Sequence, residues 1–96
     1  MARFSAINDN LNECMVCGTT QNIHIHHVFR GAYRKQSEAY HYIVPLCMHH
    51  HTGGKEAVHN NKEFDLKLKR LAQTHYESYC GTRRNFIEIF GRNYLD

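Results

Sequence analysis

Ninety-six residues make one domain, which can bury only about two-thirds of the surface of its unfolded chain, so a stabilising staple is expected in place of a large core. No apolar run is long enough to span a bilayer, and the opening MARFSAINDN lacks the apolar block of a signal peptide; a membrane partner is excluded, and a soluble, cytoplasmic domain is expected. The formal charge of +3 and pI near 8.8 permit nucleic-acid binding without requiring it, with basic residues between the histidine clusters (Arg30, Arg34, Lys35) and along the C-terminal third.

In chain order, residues 1–12 are polar and read as a loose arm or a short helical turn. CMVCGTTQNIHIHHVF follows: a Cys-x-x-Cys knuckle closed by Gly18, a turn, then a strand in which Ile23 and Ile25 alternate with His24 and His26. The alternation slips afterwards, because Val28 and Phe29 restart the apolar set one position out of step. A bulge or strand end at His26-His27 would account for this and would let the two imidazoles converge on one side. Residues 30–40 are polar and basic, a loop or short helical segment. YHYIVPLC is a second strand, rich in β-branched and aromatic residues and ended by Pro45 before Cys47. Gly53-Gly54 stops any helix begun at Met48. Phe64, Leu68, Leu71, Ala72, His75, Tyr76 and Tyr79 recur at helical spacing, which predicts an amphipathic helix over about 61–79 capped by Asn60 or Asn61. A shorter helix runs from a Thr82 cap to Gly91. The fold class is α+β, one domain over 1–96 with its core over about 14–80 and a short terminal helix over 82–91.

In a reducing compartment the four cysteines are expected to hold metal in preference to forming disulfides. Cys14-x-x-Cys17 and Cys47-x-x-His50 each set two soft donors on a tight turn, and together they complete a closed Cys3His zinc site. Cys80 has no partner at knuckle spacing and reads as a small apolar residue near a helix end. A filled zinc shell leaves His26, His27, His51 and His59 unexplained. In a ββα arrangement the zinc would tie the start of strand one to the end of strand two and bring His26-His27 near His51, forming a second, open cluster. His24 on the strand's polar face reads as solvated or as standing behind a ligand, His49 as a surface residue, and His41 and His75 as ordinary.

The segments CMVC, HHVFRGAYRK and VPLCMHHH resemble the zinc-stapled branch of the HNH (ββα-metal) endonucleases, and most of all its small phage and prophage members, over about Cys14 to Tyr79. The resemblance implies a treble-clef-like ββα finger that hydrolyses DNA, encoded by a phage or prophage and working in a bacterial cytoplasm, with phage recombination or packaging proteins as possible partners. It assigns His27 as the general base and His26 and His51 as ligands of one divalent cation; His59 matches a Val-His of the small members and is carried as a further ligand or a phosphate contact. Tyr42 stands where the family's bracing asparagine usually lies, so either Tyr42 supplies an equivalent hydrogen bond or the loop is held another way. Histidine at position 26 in place of aspartate softens the site toward Mn2+, Ni2+ or Zn2+, while Mg2+ stays compatible with water and phosphate ligands.

The chemistry of those roles is self-consistent. A neutral imidazole can take a proton from water at physiological pH, and a cation can stabilise the anionic transition state and the departing 3′ oxygen. Arg30, Arg34 and Lys35 would clamp neighbouring phosphates, and Lys62, Lys67, Lys69 and Arg70 on the long helix are either DNA contacts or a solvated face. Two other classes fit part of the pattern. A non-catalytic zinc module that grips nucleic acid or protein explains the knuckles and charge but not the second cluster, and a metal-buffering or sensor protein explains the histidines but not the basic loop and helix.

Overall fold

The computed structural model describes residues 3–54 and 57–95, so the first two residues of the expected N-terminal arm and the last residue of the expected domain lie outside it. It is a small α+β domain: β1 (Ile23–His27), α1 (Arg34–Ala39), β2 (Ile43–Cys47), α2 (Lys62–Tyr79) and α3 (Arg83–Phe90), with single turns of tighter or wider helix at Gly31–Tyr33, His49–Gly53 and Val58–Asn60. No helix among the described residues is long and apolar enough to cross a membrane.

β1 and β2 pair antiparallel in an unbroken register, from Ile23 opposite Cys47 to His27 opposite Ile43. Of the two explanations for the slipped alternation, the strand end is the one realised, and there is no bulge. Consecutive strand residues point to opposite faces, so His26 and His27 diverge instead of converging. Pro45 does not end β2 but lies inside it opposite Ile25, which a two-stranded sheet tolerates because each strand keeps a free edge. The Pro45 carbonyl accepts from Met15 N–H at 3.0 Å, which fastens the first knuckle to the sheet.

α2 starts where Asn61 Oδ1 accepts from Phe64 N–H at 3.1 Å, and Glu63 and Asp65 complement the positive end of its dipole. It buries Leu68, Ala72, Gln73 and Tyr76, one stripe at helical spacing. α3 carries a reciprocal Thr82–Asn85 capping box and stops at Gly91, whose φ of 89° is the left-handed conformation suited to glycine. Phe86 and Phe90 of this helix are fully buried against Phe29, with Tyr42, Leu46 and Leu68 in the same core. Each such aromatic contributes about 1.5–3 kcal/mol by burial, so the core extends beyond residue 80 and the terminal helix is part of it.

The described part of the N-terminal arm is held, not loose. Ala6 N–H donates to the His41 carbonyl at 2.7 Å, Phe4 stacks on the His41 ring at 3.8 Å, and Arg3 reaches Glu38 of α1. A polar composition hid these anchors because each depends on a residue more than thirty positions away.

Candidate metal centres

The first centre is assembled from two turns. Gly18, at φ 76°, lets the chain reverse after Cys17, and its N–H donates to the Cys14 carbonyl at 2.9 Å while Cys14 N–H donates to the Thr19 carbonyl at 2.8 Å. Cys47 closes β2, and the wide helical turn His49–Gly53 brings His50 back over it. The result places Cys17 Sγ 3.9 Å from Cys47 Sγ, and His50 Nδ1 3.7 Å from Cys14 Sγ and 3.2 Å from Cys47 Sγ. A tetrahedral zinc, with bonds of about 2.3 Å to sulfur and about 2.0 Å to nitrogen, holds its donors about 3.4–3.8 Å apart. The Cys3His cluster therefore fits a zinc-type site. Burial pushes the Cys14 thiol up, but the backbone N–H groups of Cys47, Cys17 and Val16 outweigh it and bring it down to about 6, which favours the thiolate that binds metal. All four cysteines are free of disulfides, and Cys80, at the exposed end of α2, lies outside this cluster.

The second centre lies on the face of β1 that carries His24 and His26. Asn60 Nδ2 donates to the carbonyls of Gly54 at 3.0 Å and Thr52 at 3.3 Å, which folds the Val58–Asn60 turn onto the His49–Gly53 turn and sets His59 against His51. His51 Nε2 and His59 Nε2 are 3.0 Å apart, and the His26 ring meets both edge-on with centroids 5.3 Å away. One ligand nitrogen from each of His26, His51 and His59 lies within 4.8 Å of the others. His26, expected as a cation ligand, is 1% exposed, and its Nε2 is a buried atom without a hydrogen-bond partner among the described residues. Such an orphan costs free energy unless something ligates it. Burial first, then the neighbouring imidazoles and Arg30, pull the His26 pKa down to about 3 and that of His51 to about 4, and burial with Arg30 lowers that of His59. Neutral at pH 7, these imidazoles keep the lone pairs a cation needs. His24 Nδ1 stands 3.0 Å from His51 Nδ1, and Arg30 donates to His59 Nδ1 while lying 3.8 Å from Asp65 Oδ1.

His27 belongs to neither cluster. From the opposite face of β1 its Nε2 meets Glu38 Oε1 at 2.9 Å, and Arg3 grips the same carboxylate with two nitrogens at 2.6 and 3.0 Å. A cavity of about 590 Å³ opens there, lined by His27, Gly31, Arg34, Lys35, Glu38 and Ala39. Tyr42 turns its hydroxyl away from the candidate centres: it is fully buried, and the hydroxyl faces His75 Nδ1 at 3.1 Å. Its main chain does the bracing, since the Tyr42 carbonyl accepts from Val28 N–H at 3.0 Å and from the Ser37 hydroxyl at 2.6 Å. The basic residues of α2 are dispersed. Lys67 lines a groove with Met15, Val16 and Phe64 beside the first centre, Arg70 donates to the Tyr94 carbonyl at 2.9 Å, and Lys69 pairs with Asp65 at 2.8 Å.

Sequence reasoning did not find Arg3, Glu38 or Asp65. The one pointer to Glu38 was that it is the sole acid in the basic stretch 30–40. Comparison with family models, with curated proteins and with solved structures finds no match to this chain.

Proposed function

We propose that this chain is a metal-dependent DNA endonuclease or nickase of HNH (ββα-metal) type, a zinc-stapled finger with a second, catalytic cation. The observation that carries this reading is the second cluster: three imidazoles within ligand distance, one of them a buried orphan, beside a zinc-type site that needs none of them. A divalent ion held by His26, His51 and His59 would act as a Lewis acid on a phosphate oxygen and on the departing 3′ oxygen.

The chain's own residues supply the rest. With its Nε2–H donated to the Glu38 carboxylate, His27 presents the lone pair of Nδ1 and takes one proton from the attacking water. The water oxygen bonds to phosphorus, the P–O3′ bond breaks, and the 3′ oxygen leaves with its electron pair. The scissile phosphate then lies across the end of β1, between the imidazole cluster and the cavity of His27, Arg34 and Lys35, whose cations bind the flanking phosphates.

A second reading, a zinc-clasped module that binds nucleic acid or protein without cutting, draws support from the divergence of His27 and its engagement by Glu38 and Arg3. Plasmid nicking separates the two. Supercoiled DNA with Mn2+ or Mg2+ is expected to be nicked by the wild type, protected by chelator, and left intact by His27→Ala at unchanged zinc content and circular dichroism. Failure of the wild type to nick with any divalent metal, at full zinc occupancy, overturns the enzyme reading.

A further inference from the structure

We infer that His24, a residue outside both clusters, is a positioning residue that holds His51 in the one tautomer able to bind a cation; this rests on the reading of His26, His51 and His59 as a cation site.

An imidazole that gives one nitrogen's lone pair to a metal must carry its proton on the other nitrogen, and that N–H needs an acceptor. His51 turns Nε2 toward His59 and the cluster, so Nδ1 is the nitrogen that must carry the proton. The group facing it is His24 Nδ1, 3.0 Å away, with the two rings edge-on at 88°. One proton order satisfies both needs: His51 Nδ1–H donates to the His24 Nδ1 lone pair, and His24 keeps its own proton on Nε2 at the exposed surface. The reverse order places a hydrogen on His51 Nε2, pointing at the other ligands, and closes the site. His59 is opposed instead of supported: Arg30 at its Nδ1 can only donate, which leaves the His59 proton on Nε2, so His59 ligates only when that contact is given up. His24 and His26 are two residues apart on one strand, so the same face that offers a ligand also offers the group behind the next ligand.

The test uses zinc-loaded full-length protein titrated calorimetrically with Mn2+ and Co2+. His24→Ala is expected to weaken uptake of the second ion about 10–100-fold, the usual effect of removing the partner behind a ligating histidine. His24→Gln, whose carbonyl oxygen can accept from His51 Nδ1–H, is expected to restore most of that affinity. Zinc content and melting temperature stay unchanged in both variants, since His24 is exposed. Wild-type affinity in His24→Ala, or a glutamine variant no better than alanine, overturns the inference and leaves the cation site standing. Absence of any second ion in the wild type overturns the cation site and the inference together.

Discussion

Replacing Cys47 by serine removes the donor on which the first centre turns, because Cys47 is both a ligand-distance neighbour of Cys17 and His50 and the last residue of β2. A zinc ion held there would link Cys14 to Cys47, positions separated by 47 − 14 = 33 residues. Treated as a cross-link of that loop, the linkage withholds about 4 kcal/mol of entropy from the unfolded chain. A chain of this size has a total stability of about 5–14 kcal/mol, so the loss leaves a marginal fold. At roughly 4–8 °C per kcal/mol, the melting temperature should fall by at least about 15 °C. Thermal melts followed by circular dichroism, with zinc counted by atomic emission, give the answer. A Cys47→Ser protein that melts within a few degrees of wild type, or that still holds one zinc as tightly, would refute the stapling argument.

Arg30→Ala should bind Mn2+ at the second centre more tightly, by about 1 kcal/mol or roughly fivefold, since a guanidinium against His59 opposes any cation there; the same variant should bind DNA more weakly, and unchanged Mn2+ affinity by calorimetry would contradict the electrostatic reasoning. Phe29→Ala, which strips a 2%-exposed ring from Phe86, Phe90, Tyr42 and Tyr94, should cost about 3–5 kcal/mol in urea unfolding. Gly91→Ala forces a side chain into a left-handed conformation and against the Tyr33 hydroxyl, so a loss of at least about 1–2 kcal/mol is expected; a neutral effect would show that α3 does not end as described.

Local spacing carried most of what was legible in the sequence. Two x-x knuckles located Cys14, Cys17, Cys47 and His50, and the 3.6-residue period placed α2 at Lys62–Tyr79 against an expected 61–79. The association of His51 with His26 followed from topology, because a staple joining both strand ends brings them side by side. What failed was the expectation that adjacent imidazoles converge. Period-two geometry sends His27 to the other face, and the slip at Val28 and Phe29 marks the strand's end, where the chain turns into the core. His27's partner and that partner's own clamp, Glu38 and Arg3, were out of reach for a different reason: they are eleven and twenty-four residues from His27 and share no periodic pattern with it. The arm's anchoring and the use of Lys69 and Arg70 in holding Asp65 and the Tyr94 carbonyl are likewise tertiary facts that composition does not encode.

On the proposed reading one small domain holds two metal environments, one saturated with sulfur and nitrogen donors, the other left with room for water and phosphate. Anomalous scattering from a crystal grown with zinc and soaked in Mn2+ counts the ions and identifies their donors in one measurement. A zinc peak is expected among Cys14, Cys17, Cys47 and His50, with a separate manganese peak among the Nε2 atoms of His26, His51 and His59. A single metal peak at the cysteines, with the three imidazoles packed on one another and no ion between them, would contradict that reading.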